Sequence, residues 1–143
     1  MAFKSQLTGM RGVYLVAAEL ARRGFIVSPT SRSAHGVDLL VTNQALSKTF
    51  SVEVKTKKAT SISWPLHSKV LEVKSKSHLY VLVNLLDALK KKSEEGPVEF
   101  FVIPSLFMSK TAKDWRPSWQ VSIRKPEIKH LKDKWNLFGS VGE

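Results

Sequence analysis

Residues 51–57 read Ser51-Val52-Glu53-Val54-Lys55-Thr56-Lys57 and carry more information than any other segment of the chain. Apolar or β-branched side chains alternate here with polar ones, which is the period of a strand that buries one face. Side chains two residues apart on a strand point to the same side, roughly 7 Å apart along the chain. The pattern therefore predicts a strand that presents the Glu53 carboxylate and the Lys55 ammonium on one face.

A second predicted strand, Gly36-Val37-Asp38-Leu39-Leu40-Val41, precedes this one, and the polar residues 43–48 connect the two. Antiparallel pairing about the middle of that connection places Asp38 roughly opposite Glu53. We therefore expect two carboxylates and a lysine on one patch. Hard divalent cations such as Mg²⁺ take carboxylate ligands, and a bound ion lowers the pKa of a coordinated water and stabilises charge on a phosphoryl oxygen.

These residues resemble a known group of nucleases. Asp38, followed by Glu53-Val54-Lys55 and preceded by a predicted helix that ends in Arg23-Gly24-Phe25, is similar to the pattern of the PD-(D/E)xK superfamily. The likeness is strongest to archaeal-type Holliday junction resolvases and restriction-endonuclease-like proteins, and it covers roughly residues 9–58. It implies a restriction-endonuclease-like α/β fold with a central mixed sheet flanked by helices. At 143 residues, we expect one nuclease-like domain over residues 1–143.

The resemblance also implies residue roles. Asp38 and Glu53 correspond to metal ligands, the Val54 backbone carbonyl to a third ligand, and Lys55 to the residue that positions water or stabilises charge. Asp38, Glu53 and Lys55 are therefore the expected catalytic set of a metal-dependent DNA endonuclease that hydrolyses phosphodiester bonds. The implied cofactor is Mg²⁺, with Mn²⁺ able to substitute, and the implied assembly is a homodimer. The preferred DNA structure stays open, with a resolvase-like, structure-selective activity among the alternatives.

The first helix departs from the family pattern. Related nucleases commonly place a Glu early in this helix, and that position here is Val13. Glu19 is the only carboxylate in the predicted helix, and six residues correspond to about 240° of rotation, so Glu19 does not simply replace it. Glu19 is either an additional metal ligand or an exposed partner of Arg22 or Arg23. The departure leaves open a catalytically inactive nuclease-fold protein that binds nucleic acid.

The charge balance favours a polyanionic partner. Twenty-three Lys and Arg residues against twelve Asp and Glu give a net charge of +11. Nucleic acid fits better than an acidic membrane surface, because no basic amphipathic helix with a broad apolar face stands out. A basic structural protein of a nucleoprotein complex is a third reading. The absence of cysteine, of a signal-peptide pattern and of a membrane-length apolar run predicts a cytoplasmic protein without a membrane partner.

Three segments are candidates for contact with nucleic acid. The polar loop before Asp38 carries Arg32, Ser33 and His35, for which the alternative is an ordinary solvated loop. The end of the central strand carries the candidates Lys57 and Lys58. Trp64 follows this strand as a third candidate, and the alternative for this tryptophan is a core position.

Periodicity predicts the remaining elements. A first helix should cover residues 8–23, with Thr8 as a candidate N-cap and Gly24 as the stop. Apolar runs predict buried strands over residues 79–86 and 98–103. A short helix after Pro104, a strand over residues 119–123 and a terminal helix over residues 127–135 complete the expected α/β arrangement.

Overall fold

The computed structural model describes residues 2–31, 36–86, 98–112, 115, 117 and 119–142. Helices and strands alternate along the chain in the mixed manner that the sequence predicts. In chain order they are α1 (Ala2–Arg22), β1 (Ile26–Pro29), β2 (Leu39–Thr42), β3 (Thr49–Lys58), β4 (Ser63–Pro65), β5 (His78–Leu85), β6 (Val98–Pro104), α2 (Ser105–Ala112), β7 (Gln120–Ser122) and α3 (Pro126–Lys129). Two short 3-10 helices cover Ser68–Leu71 and Trp135–Phe138.

Five strands form the central sheet, in the order β1-β2-β3-β5-β6. The β3–β5 pair is parallel, and the other neighbours are antiparallel. β3 therefore lies in the middle of a mixed sheet, as expected. A parallel pair needs a crossover connection, and here residues 59–77 provide it. That crossover carries β4, which pairs antiparallel with β7 in a separate two-stranded sheet.

Each face of the central sheet carries its own hydrophobic core. α1 covers one face, where Val16 and Leu20 of the helix meet β-sheet residues such as Val52 and Val81. The other face packs against Trp64, α2 and α3. β5 is buried along its whole length, which confirms the prediction from its continuous apolar run. The central mixed sheet flanked by helices is thus the predicted fold class.

α1 begins earlier than the sequence predicts. Its first residue is Ala2, and the Thr8 hydroxyl donates a hydrogen bond to the Lys4 carbonyl within the helix, so the predicted N-cap role of Thr8 is wrong. Ser and Thr side chains inside helices bond back to a carbonyl one turn earlier in this way. At the other end Gly24 has φ +97°, a left-handed conformation that favours glycine, and its amide donates to the Ala21 carbonyl. The predicted stop is confirmed.

Close packing fixes α1 against β3. A Cβ atom added at Gly12 would overlap the Thr56 hydroxyl oxygen, whereas one added at Gly9 on the same helix would have no neighbour within 4 Å. Gly12 is buried and lets the helix backbone approach the strand directly. The position of α1 over β3 therefore depends on the absence of a side chain at Gly12.

The C-terminal segment differs from the prediction in part. The predicted strand over residues 119–123 is present as β7, but the predicted helix over residues 127–135 stops after the short α3. Asp133 takes a positive φ of 54°, and its amide donates to the Phe100 carbonyl of β6. Pairing with β6 therefore competes successfully with helix continuation. Within the described residues, no helix is both long enough and apolar enough to cross a membrane.

Candidate active site

Glu53 and Lys55 lie on the same face of β3, as their spacing predicts. The Lys55 Nζ atom lies 3.1 Å from Glu53 Oε1, and the two side chains are 29% and 18% exposed respectively. Phe50, Val52 and Val54 point to the opposite, buried face. The strand therefore holds an ammonium and a carboxylate together at a partly exposed surface, where solvent and a charged ligand can reach both.

Asp38 immediately precedes β2 and contacts β3 through both its backbone and its side chain. Its amide donates to the Val52 carbonyl at 2.8 Å, and its Oδ2 accepts a hydrogen bond from the Val54 amide at 2.7 Å. The β2–β3 pairing ends at Leu39 and Val52, so the carboxylate lies just beyond the end of that ladder. Continuing the β2–β3 register by one residue places the Asp38 backbone opposite Glu53.

The same contact orients the Val54 carbonyl. In a strand, the N–H and C=O groups of one residue point to the same neighbouring side. The Val54 N–H points to Asp38, so its carbonyl points to that side of β3 as well. Since β2 has ended there, the Val54 carbonyl is directed toward the surroundings of the Asp38 carboxylate. The role of the Val54 carbonyl as a metal ligand stays a prediction.

A tight turn brings the second carboxylate into the same neighbourhood. Gly36 has φ +69°, and a Cβ atom added there would lie 3.7 Å from Glu53 Oε2. Two residues later Asp38 binds the Val54 amide. The turn over residues 36–38 thus runs from Glu53 to Val54, and the two carboxylates lie at its two ends. Glycine at position 36 suits the left-handed backbone, while the 3.7 Å distance is ordinary van der Waals contact.

Two concave surfaces meet at this turn, and Val37 lines both. A groove of about 470 Å³ under α1 contains Asp38 and Val54. A cavity of about 520 Å³ on the other side of the sheet contains Glu53 and Lys55. Val13 also lines the groove, so the helix position that departs from the expected nuclease pattern lies on the Asp38 side of the site. In this chain the position is apolar, and the helix contributes the polar side chain of Gln6 there instead.

The donor set suits a hard cation that keeps several waters. Asp38, Glu53 and the Val54 carbonyl offer oxygen atoms, which is what Mg²⁺ prefers, and Mg²⁺ commonly uses only one or two carboxylates. Among the described residues, no group of three or more His, Cys, Asp and Glu side chains could hold a metal.

Glu19 is engaged elsewhere. Its Oε1 accepts hydrogen bonds from Arg22 Nη2 at 2.6 Å and from Arg23 Nε at 2.9 Å. The Arg22 hydrogen bond, followed by that of Arg23, lowers the pKa of the Glu19 carboxyl despite partial burial. The Arg23 guanidinium lies 5.1 Å from the Trp135 ring centroid. These contacts support the ion-pair alternative for Glu19, at the C-terminal end of α1.

Two of the candidate nucleic-acid contacts are core residues and need correction. Lys57 is only 5% exposed, and its Nζ donates to the Ser61 carbonyl at 2.6 Å and to Asn84 Oδ1 at 2.9 Å. Trp64 is fully buried, and its Nε1 donates to the Val83 carbonyl at 2.9 Å. The Lys57 ammonium also lies 4.8 Å from the Trp64 ring centroid. Neither side chain is placed to contact DNA, because both are satisfied inside the protein.

The remaining candidates stay predictions. Lys58 is exposed at the end of β3, close in sequence to the site. Arg32, Ser33 and His35 lie outside the described residues. The basic loop before Asp38 is therefore still an expectation from sequence.

Two residues of the cavity wall were not singled out from the sequence. His78 and Tyr80 belong to β5, and they line the cavity beside Glu53. His78 Nδ1 lies 2.7 Å from Ser51 Oγ, while its buried Nε2 has no hydrogen-bond partner among the described residues. Burial lowers the pKa of His78. Burial also raises the pKa of the Tyr80 hydroxyl, and the negative charge of Glu53 raises it further. Both side chains are therefore neutral at pH 7.

The His78 environment predicts a pH dependence of stability. The folded protein holds the His78 pKa below its usual value of 6.5, so the unfolded chain binds more protons as the pH falls below about 6.5. The contribution of neutral His78 to the free energy of unfolding should be fully present above about pH 6.5. It should decrease as the pH falls from about 6.5 to the lower pKa of the folded state. Denaturant titrations of the wild type and of His78→Asn, both in EDTA, measure this. The variant should lose less stability between pH 7 and pH 5, and equal losses would contradict the assignment.

Comparisons with known proteins give a structural match. No protein-family model and no curated protein sequence matches the chain. Its structure is similar to that of a bacterial homing endonuclease, I-Ssp6803I, with a TM-score of 0.56 and 14% sequence identity. The match covers 93% of this chain and 90% of the other. The two proteins therefore share a fold over nearly their whole lengths.

Proposed function

We propose that this protein is a metal-dependent DNA endonuclease that hydrolyses phosphodiester bonds. The observation that carries the proposal is the hydrogen bond between the Asp38 carboxylate and the amide of Val54, the residue that lies between Glu53 and Lys55 on β3. The structural likeness to a homing endonuclease supports it, and so does the net charge of +11. Two carboxylates and a lysine near one segment of β3 are the groups that metal-assisted phosphodiester hydrolysis needs.

Each residue has a distinct part in this proposal. Asp38, Glu53 and the Val54 carbonyl would hold Mg²⁺, with Mn²⁺ able to substitute. When bound, the ion would supply a water of lowered pKa and charge stabilisation at the phosphoryl oxygen. The Lys55 ammonium lies beside Glu53. It can donate a hydrogen bond to the attacking water or to the phosphate, where negative charge develops. Water is the nucleophile, so no covalent enzyme intermediate forms.

Cleavage of defined DNA molecules tests the proposal. The purified protein is incubated with end-labelled branched, duplex and single-stranded DNA, with Mg²⁺ or with EDTA, and Mg²⁺ binding is measured by calorimetry. We expect Mg²⁺ to bind and cleavage to occur only with the metal. Failure to bind Mg²⁺ together with no cleavage of any substrate would overturn the proposal.

A catalytically inactive nucleic-acid-binding protein is the second candidate, and Val13 favours it. The helix position that faces Asp38 across the groove is apolar, so the site has one carboxylate fewer than related nucleases commonly have. Val13→Glu separates the candidates, because it restores that carboxylate without touching Asp38 or Glu53. An inactive wild type with metal-dependent cleavage in the variant would establish the binding protein, whereas wild-type activity excludes it.

DNA affinity should depend steeply on salt. Lysines and arginines that contact phosphates release condensed counterions, so the logarithm of the binding constant falls linearly with the logarithm of salt concentration. We expect a slope of about −0.9 for each phosphate contacted in duplex DNA. Fluorescence anisotropy in EDTA between low and physiological salt measures it. Lys58→Ala should make the negative slope less steep. A wild-type slope near zero would contradict a phosphate-binding surface.

The homodimer also belongs to the proposal. α1 exposes the apolar side chains of Leu7 and Tyr14, which are 49% and 59% exposed. These residues adjoin the groove that contains Asp38, so a second copy bound there would place two sites close together. Sedimentation velocity with and without DNA measures the assembly. A monomer under both conditions would argue against a dimer.

A further inference from the structure

The cavity beside Glu53 and Lys55 is much larger than a phosphate group needs. Its volume of about 520 Å³ falls in the range of sites that hold whole organic ligands. The half-buried Leu66 and Val73 contribute apolar surface, and the nearly buried Val70 and Tyr80 form the floor. The hydrolytic reaction uses only the edge of this space, so most of the cavity has no role in the proposed chemistry.

Its rim carries positive charge. Lys69 and His67 are exposed residues of the lining, and Lys55 stands beside them. The exposed Lys74 and Lys76 flank Ser75, another lining residue. An apolar interior with a cationic rim suits a ligand with an apolar part and an anionic part. A nucleotide within a DNA strand has this combination, with its base for the interior and its phosphates for the rim.

The wall opposite β3 is a built structure. Val70 is 4% exposed and belongs to the second core. The 3-10 helix that carries it starts after His67, whose Nδ1 accepts a hydrogen bond from the Lys69 amide. The Ser75 amide donates to Ser105 Oγ at 3.0 Å, which ties the crossover to α2. The cavity is therefore bounded by fixed elements on both sides.

We infer that this cavity receives an unstacked DNA base next to the phosphate that is cut. The inference rests on the proposed function, because Lys55 and Glu53 form the shared boundary between the cavity and the catalytic groups. The base packs against the half-buried side chains of Leu66 and Val73, because Tyr80 is only 2% exposed and forms the floor of the cavity. Extruding a paired base costs free energy, and the cost is least when the base is already unpaired. The substrate class is therefore DNA with an unpaired nucleotide at the cleavage position, in preference to continuous duplex.

The test compares three DNA molecules of equal length and charge pattern around the site. One is a duplex with a single-base bulge, one carries an abasic residue in place of the bulged nucleotide, and one is fully paired. Binding is measured in EDTA, so the result does not depend on cleavage. The apolar cavity removes the base from water, so we expect the base bulge to bind about tenfold tighter than the abasic bulge.

Val73→Trp fills the cavity from a half-buried position, and Leu66→Trp does the same if the first variant does not fold. Ile62→Trp is the matched control, because Ile62 is 52% exposed and lies outside the lining. The filled variant should lose the preference for the base bulge and keep duplex affinity, while the control keeps both. Equal binding of base and abasic bulges by the wild type, or an unchanged preference in the filled variant, would overturn the inference. If the wild type binds none of the three DNA molecules, the proposed function is refuted instead.

Discussion

Asp38→Asn and Glu53→Gln should each abolish detectable magnesium-dependent cleavage. Both changes remove a negative charge from the proposed metal site while keeping the size of the side chain. The amide oxygen introduced by Asp38→Asn can still accept a hydrogen bond from the Val54 amide, so the turn before β2 should stay in place. DNA affinity in EDTA should be unchanged or higher, because a carboxylate near the phosphate has gone. Single-turnover cleavage and anisotropy measure the two effects separately.

Lys55→Ala extends this prediction, and Glu19→Gln is its control. Removing one electrostatic donor from a hydrolytic site typically costs about 10²–10³ in turnover, and we expect a loss of that size for Lys55→Ala. Glu19 binds Arg22 and Arg23, so Glu19→Gln should keep cleavage near the wild-type rate. Retained cleavage in Asp38→Asn or Glu53→Gln would refute the site. A loss in Glu19→Gln equal to theirs would place Glu19 at the metal.

Gly12→Ala should destabilise the protein strongly for a one-methyl change. The new methyl group overlaps the Thr56 hydroxyl, so α1 must move away from β3 or Thr56 must change rotamer. Overpacking of this kind typically costs about 1–3 kcal/mol of unfolding free energy. Gly9→Ala, three residues earlier on the same helix, meets no neighbour within 4 Å and should be neutral or stabilising by up to about 1 kcal/mol. Denaturant unfolding of the two variants measures the difference.

The double variant Gly12→Ala/Thr56→Ala identifies the cause. Thr56→Ala removes the hydroxyl that the methyl group meets, and that hydroxyl is itself buried without a hydrogen-bond partner among the described residues. The double variant should therefore recover part of the lost stability. If Gly12→Ala and Gly9→Ala have equal stability, the close approach of α1 to β3 does not contribute as described.

The sequence predicted the central hairpin because its signals are local. Alternation over residues 51–57 and a short polar connection determine which residues face each other, and pairing then brings Asp38 to Glu53. A carboxylate close to the end of a strand is also visible without tertiary information. The fold class followed from these strands and from the helix that ends at Gly24, and the structure confirms it.

Burial of polar residues by distant elements could not be read in the same way. Lys57 continues the polar face of β3, but the crossover and Trp64 cover that face beyond Lys55. Its charge is accommodated through Asn84, a residue on another strand, so no local pattern distinguishes it from an exposed lysine. Tyr80 was missed for the opposite reason, since the continuous apolar run over residues 79–86 conceals which members line a cavity. His78 directly precedes that run, and no local pattern distinguishes it from a surface histidine.

The edges of the central sheet have a consequence for self-association. β6 is covered on its outer side, because the Val102 amide donates to the Leu131 carbonyl and the Asp133 amide to the Phe100 carbonyl. The outer strand at the other edge, β1, has four residues and ends at Pro29, which has no amide hydrogen to donate. Short strands and prolines at edges disfavour the addition of a foreign strand. The two edges of the central sheet therefore offer a poor template for fibril-like growth.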